Sequence, residues 1–187
     1  THQDPEIEKA NPLPKLEENK SVDYRGRIVE KGEMLGHTQS WYVGSHLNTV
    51  EEAEEWWETY VKPPKIHVDG AVEQTNKMLK QAGSALWERF VPVAGMPGLI
   101  EPLMEGLGIK LFSRMLRKNR DTLHKFMSWM TRDAVEHAKM AVETDYMVFA
   151  LADDSAYKNS PMLNPKIHRE LVIPYYKQIC EVVRKAG

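Results

Sequence analysis

The sequence predicts an α/β fold in which parallel strands alternate with helices. Three observations carry that expectation. The run Tyr146-Met147-Val148-Phe149-Ala150-Leu151-Ala152 is apolar without polar alternation, as in a strand covered on both faces, and it ends in two adjacent acids, Asp153 and Asp154. An apolar stripe at helical spacing, Leu123, Phe126, Met127, Met130, Ala134, Ala138 and Ala141, directly precedes that run. An earlier β-prone stretch closes in Gly95-Met96-Pro97-Gly98 and is separated from the second strand by helical sequence.

The elements follow in order. Residues 1–21 are polar, contain Pro5, Pro12 and Pro14 and lack apolar periodicity, so they read as an N-terminal arm or linker that is poorly ordered unless held. Residues 22–187 read as one domain. Arg25 to Glu30 and Gln39 to Val43 are β-prone, with Gly32, Gly36 and polar residues between them, which predicts a hairpin. Thr49 with Glu52 three residues on forms a capping box, and Glu51, Glu52, Glu54 and Glu55 suit the positive end of a helix that Pro63-Pro64 stops. Within that helix Trp56 and Trp57 point in different directions, so one is expected to pack inward and the other to cover a surface.

Asp69 begins a further helix through Val72, Thr75, Met78 and Leu79, ended at Gly83. Ala85 to Ala94 reads as a strand running into the Gly95–Gly98 loop. Leu99 to Gly106 and Ile109 to Leu116 are two short helices broken near Gly106 and Gly108. Asn119 to Thr144 is the longest predicted helix. After the strand at Tyr146 to Ala152, Asn164 caps a last helix with Pro165 in its first turn, running to about Lys185 with a bend at Pro174.

Composition narrows the function classes. A net charge of −2 over 187 residues is unlike a nucleic-acid-binding surface, which needs clustered excess Lys and Arg. The apolar runs fall well short of the roughly 18 residues that span a bilayer, and no signal-peptide pattern opens the chain. The single cysteine, Cys180, cannot form an internal disulfide, which fits a reducing, cytoplasmic setting. The ten methionines are expected mostly in the core. Thr1 and Gly187 both look like cut ends, so the chain is expected to be an internal stretch of a longer protein.

The chemistry-bearing residues gather at the two strand ends. Gly95, Met96 and Pro97, with Gly98, would let a backbone approach a ligand closely, or would form a tight turn before a helix. Asp153 and Asp154 alternate in direction if the strand persists, so one faces the cleft as acid, anion or anchor; capping a turn or pairing with Lys158 is the structural alternative. Tyr157, Lys158 and Asn159 extend the same loop and suit a polar or anionic ligand as well as a solvated turn. No phosphate-binding glycine motif occurs. His124, His137 and His168 are scattered on helices as surface residues would be, and with no His-x-x-x-His or His-x-Cys pair no metal ligand is predicted within the chain.

The block Asp153-Asp154-Ser155-Ala156-Tyr157-Lys158-Asn159-Ser160-Pro161-Met162-Leu163-Asn164-Pro165, followed by Arg169-Glu170-Leu171-Val172-Ile173-Pro174-Tyr175-Tyr176-Lys177, resembles the uroporphyrinogen decarboxylase superfamily. Gly95 to Gly98 is similar to that family's Gly-x-Pro loop, and Tyr24-Arg25-Gly26-Arg27-Ile28 to its Trp-Gly-Arg hairpin. The resemblance covers about residues 22–187 and implies a partial TIM-type (β/α)8 barrel. It implies an enzyme with Asp153 and Asp154 as catalytic candidates and Gly95, Met96, Pro97, Tyr157, Lys158 and Asn159 as substrate-binding ones.

The pattern departs from true decarboxylases. Their Gly-x-Pro loop leads to Trp-Thr-Leu and a catalytic Tyr, whereas here Gly98-Leu99-Ile100-Glu101-Pro102-Leu103-Met104 has none. Their acid-bearing strand leads to Ser-Trp-Ala-Gly, whereas here it leads to Ser155-Ala156-Tyr157-Lys158. The chain is more similar to the methyltransferase branch, related to methylcobamide:coenzyme M methyltransferases. That branch implies a corrinoid, on a partner protein or as substrate, a small-molecule methyl acceptor, and zinc whose ligands would lie outside this chain. Tetrapyrrole decarboxylation and a non-catalytic binding remnant are the other functions weighed. A partial barrel exposes sheet edges, so self-association, most simply as a homodimer, is expected.

Overall fold

The computed structural model describes residues 5–34, 36–64, 70–83 and 87–187. A short helix, α1 (Pro5–Ala10), opens the chain within the expected arm. Three antiparallel strands follow, β1 (Lys20–Val22), β2 (Arg27–Met34) and β3 (His37–Ser45), in the order β1-β2-β3. The hairpin predicted from two short runs is therefore longer than its β-prone cores, and it gains a third strand.

The turn entering β2 is built by Asp23. Its carboxylate accepts from the Arg25 amide at 2.9 Å, the Arg27 amide at 3.1 Å and the Arg27 side-chain Nε at 2.7 Å. This is the local side-chain turn that Asp favours. Gly26 sits in it at φ 90, and a Cβ there would stand 2.8 Å from Leu47. Only glycine takes that backbone region freely, so the tight turn presses Arg25 and Gly26 onto the helical layer.

Helix α2 (Val50–Tyr60) has the predicted capping box: the Glu52 amide donates to Thr49 Oγ1 at 3.1 Å, and Glu52 reaches back to the Thr49 amide. The adjacent tryptophans divide as expected. Trp57 is fully buried and stacks on Phe126 with ring centroids 4.5 Å apart, whereas Trp56 is half-buried and its Nε1 donates to the Tyr24 carbonyl at 3.0 Å. Helix α3 spans Ala71–Gln81. Its predicted start at Asp69 lies outside the described residues.

The parallel pair comes next. Strand β4 (Val93–Pro97) and strand β5 (Val148–Ala152) run in register, Gly95 opposite Ala150 and Pro97 opposite Ala152. Between them lie α4 (Ile100–Leu107), α5 (Ile109–Lys118) and α6 (Arg120–Val142). After β5 a small hairpin of β6 (Ala156–Tyr157) and β7 (Ser160–Pro161) leads to α7 (Pro165–Leu171) and α8 (Ile173–Ala186).

The core lies on the helical side. The predicted α6 stripe is buried from Leu123 to Ala138, while Ala141 is half-buried. It packs with Leu103, Leu107, Phe112 and Met115 from α4 and α5, and with Leu171, Val172 and Ile179 from the last two helices. Each fully buried side chain of this size contributes about 1.5–3 kcal/mol by leaving water.

Several expectations are corrected. The first strand does not run from Ala85 to Ala94. Residues 84–86 lie outside the description; Trp87 to Arg89 turn, with the Trp87 indole donating to the Leu79 carbonyl at 3.1 Å, and extension begins only at Val93. The second strand begins at Val148, not Tyr146, and is half-buried where cover on both faces was expected. Met147 is 73% exposed and Val148 46% exposed, because β5 has one strand neighbour among the described residues. The last helix is divided, not bent: Val172 breaks it, and Pro174, which has no amide hydrogen to donate, sits in the first turn of the second piece.

The α/β class stands, with mixed strands and flanking helices. Among the described residues parallel pairing is confined to β4 and β5, and no closed barrel is formed. None of the described helices is long and apolar enough to cross a membrane.

Candidate functional site

Parallel strands side by side bring their carboxyl ends together, where α/β folds usually place chemistry. Here those ends are Pro97 and Ala152, joined one residue later by the Gly98 amide donating to the Ala152 carbonyl at 2.5 Å. The next residue after Ala152 is Asp153. Its Oδ1 accepts from the Glu101 amide at 2.8 Å and its Oδ2 from the Ile100 amide at 3.1 Å. The Tyr176 hydroxyl donates to the same Oδ2 and accepts from the Leu99 amide at 3.0 Å.

The first amides of α4 have no partners of their own helix. Asp153 reaches across from β5 and caps them, with its negative charge at the positive helix end. Tyr176, from α8, completes the cap. Burial first, and then the hydrogen bond to Asp153, push the Tyr176 phenol well above its ordinary range, so it is a neutral donor. Gly98 is required by this closeness: a Cβ there would overlap the Asp153 carboxylate. The three elements β5, α4 and α8 thus meet in one knot of hydrogen bonds.

Asp154 differs. It is exposed, its amide donates to Glu101 at 3.3 Å, and its carboxylate makes no hydrogen bond or ion pair among the described residues. Tyr157, Lys158 and Asn159 are exposed on the β6–β7 hairpin, with Lys158 and Asn159 at its turn. That hairpin is held at its base by the Met162 amide donating to the Ser155 carbonyl at 2.9 Å.

Gly95, Met96 and Pro97 line a cleft of about 160 Å³ at the end of β4, together with Tyr24, Arg25, Asp133 and His137. The structure therefore separates the predicted site residues into two groups. The glycine loop lines the cleft, and the two acids with Tyr157, Lys158 and Asn159 are not among its lining residues. Sequence reasoning did not single out Arg25, Asp133 or His137, which come from the hairpin turn and from α6. It also assigned His137 to the surface, whereas it is half-buried beside the cleft. They meet only in the tertiary fold, where the hairpin turn, β4 and α6 line one cleft.

The second half of the sequence block that carried the resemblance has structural work. Glu170 pairs with Arg120 at 3.0 Å, the Tyr175 hydroxyl donates to the His124 carbonyl at 2.9 Å, and Tyr176 holds Asp153. These contacts fasten the last two helices to α6 and to the strand end. The sequence model of the uroporphyrinogen decarboxylase (URO-D) family matches residues 63–187, which include both strand ends, the knot and that block.

The chain belongs to the uroporphyrinogen decarboxylase family. No curated protein and no solved structure matches it. Members of this family are enzymes, either decarboxylases or methyltransferases. The matched segment begins after α2 and the β1–β3 sheet, so the hairpin that contributes Tyr24 and Arg25 lies outside it.

The groups that the methyltransferase branch would use can be tested against these residues. No cluster of three or more His, Cys, Asp or Glu side chains that could hold a metal ion occurs among the described residues. The cleft at β4, at about 160 Å³, is smaller than the roughly 300 Å³ typical of even modest ligand sites and does not enclose a corrin ring.

Proposed function

We propose that the protein is a methyltransferase of the uroporphyrinogen decarboxylase superfamily, acting between a cobamide and an acceptor in the cytoplasm. The observation that carries this reading is the Gly98–Met104 segment. Decarboxylases of the family have a catalytic Tyr after this loop. Here the segment holds no Tyr and is the amino end of α4, whose amides are taken by Asp153 and Tyr176. A site built in this way leaves the loop no free donor to reach a tetrapyrrole.

The proposal extends the parallel pair to a TIM-type barrel in the complete enzyme. It assigns the cobamide to a corrinoid partner protein or to a dissociable substrate, and zinc to ligands outside this chain. No step is derived through either. Within the chain, Asp153 acts as a positioning residue, because both its oxygens are engaged in holding the loop. Asp154, with an exposed carboxylate that has no partner among the described residues, is the group suited to give or take a proton. Gly95, Met96 and Pro97 form the floor of the acceptor cleft. Tyr157, Lys158 and Asn159, on an exposed hairpin beyond it, suit contact with the arriving partner. Homodimer formation would cover the apolar edge residues Met147 and Val148.

The test is an activity comparison on the full-length protein. Demethylation of methylcobalamin with a thiol acceptor, together with bound zinc, is the expected result. Loss of carboxyl groups from uroporphyrinogen with no methylcobalamin demethylation would overturn the reading.

A further inference from the structure

The cation of Arg25 is unusually placed. Its Nε is buried and has no hydrogen-bond partner, and its side chain makes no ion pair or hydrogen bond among the described residues. The neighbouring Arg27 shows the contrast: it is paired with Asp23 at 2.7 Å and Glu105 at 2.9 Å. A buried donor left unpaired is costly, so such groups are normally satisfied by something. Arg25 is also fixed in place. The Asp23 turn holds its backbone, its carbonyl abuts Gly106, and its guanidinium lies over the Tyr24 ring at 4.6 Å from the centroid. A rigid fork of donors facing a cleft is a preformed receptor for an oxyanion.

The cleft has a second lobe. A cavity of about 190 Å³, lined by Val72, Thr75, Met140, Ala141 and Tyr146, shares Gly95 and His137 with the Arg25 lobe. Its lining is mostly apolar. Gly95 lines both lobes, and a Cβ built there meets nothing within 4 Å, so its backbone puts no side chain between them.

We infer that this two-lobed cleft binds an amphipathic monocarboxylate, its carboxylate on Arg25 and its apolar body passing Gly95 into the second lobe. The inference deepens the proposed function by naming the class of small molecule taken at β4, and rests on that reading only for the place of binding. A carboxylate matches the planar guanidinium with two parallel hydrogen bonds. A single negative charge is favoured because the Asp133 carboxylate lines the same lobe. Arg132 binds Asp133 at 2.8 Å and partly offsets it, but a dianion would still meet repulsion. Each lobe is small, which suits a short-chain or single-ring acid.

The experiment is calorimetric titration of the full chain with butyrate, octanoate, octanamide and inorganic phosphate. Octanoate should bind at least about tenfold more tightly than octanamide, the difference a charge-assisted hydrogen-bonded pair provides. It should also exceed butyrate by a similar factor, as about four extra buried methylenes allow. Arg25→Gln should bring octanoate down to the affinity of octanamide. Gly95→Leu should lower the affinity for octanoate by a larger factor than that for butyrate, and the open space at Gly95 accommodates the new side chain. Octanoate binding with this pattern supports the inference even if the protein transfers no methyl group. Equal affinities for octanoate and octanamide, tighter binding of phosphate than of octanoate, or no binding of any alkanoate would overturn it.

Discussion

The ends of the two parallel strands lie side by side and differ in how their polar groups are satisfied. At the end of β5, Asp153 has both oxygens occupied by the amides of α4 and by Tyr176. At the end of β4, Arg25 lines a cleft, and its buried Nε has no hydrogen-bond partner among the described residues. The first is closed by its own contacts, and the second leaves a donor unpaired. The family match covers the closed junction and not Arg25. The difference teaches that conspicuous acids within the family match can be spent on holding the scaffold, while an unpaired donor stands on a segment that the family model does not reach.

Removing the acid is the strongest way to break this contrast. Asp153→Ala leaves the amides of Ile100 and Glu101 and the Tyr176 hydroxyl without their acceptor in a half-buried place. Hydrogen bonds to a charged group are individually strong, and the expected loss is about 3 kcal/mol of unfolding free energy. Urea denaturation measures it. A loss below about 1 kcal/mol would mean that water replaces the carboxylate, and the junction would then not be closed.

A smaller effect sharpens the same point from the other side of the bond. Tyr176→Phe keeps the ring and removes the hydroxyl, costing about 1 kcal/mol near neutral pH. Its signature lies at alkaline pH. The folded-state phenol is raised above its ordinary value of 10.0, mainly by burial, so the native state keeps the proton after the unfolded chain has released it. The unfolded state then binds fewer protons than the native state, and stability falls as pH rises above 10. Burial also raises Tyr24, Tyr60 and Tyr175, so the wild-type curve contains several such contributions. The diagnostic quantity is the difference: Tyr176→Phe should lose stability less steeply above pH 10, by up to about 1.4 kcal/mol per pH unit. Parallel curves for the two proteins would show that the hydroxyl is not held neutral by the junction.

The sequence made local features legible and left the tertiary ones hidden. The Thr49–Glu52 capping box, the division of Trp56 and Trp57 between surface and core, the α6 stripe as far as Ala138 and the Asn164 cap are written in neighbouring residues, and each appears as expected. The extent of β4 was misread because Trp87 is drawn back to the end of α3 by its indole, a contact no local pattern encodes. The half-burial of β5 depends on how many strands flank it, which its own apolar run cannot state. Asp153 was recognised as important from its place after a strand, but its partners lie on two distant segments, Leu99 to Glu101 and Tyr176. Arg25 passed as part of a hairpin because the cleft it faces is assembled from β4 and α6.

The smallest expected change in stability is the most informative about function. Asp154 stands one residue beyond the junction, exposed, with a carboxylate that holds nothing among the described residues. Asp154→Asn keeps the shape and the backbone amide that meets Glu101, so the unfolding free energy should move by no more than about 0.5 kcal/mol. If this carboxylate carries the proton in the proposed reaction, kcat should fall by about a hundredfold or more, with substrate affinity little changed. Asp153→Asn should show the reverse: it weakens the cap of α4, so stability falls, and activity declines only as far as the loop moves. Steady-state kinetics and urea denaturation on both variants separate the two. A catalytic loss in Asp153→Asn without a stability loss, beside an unaffected Asp154→Asn, would exchange the roles of the two acids and make the junction itself the reacting centre.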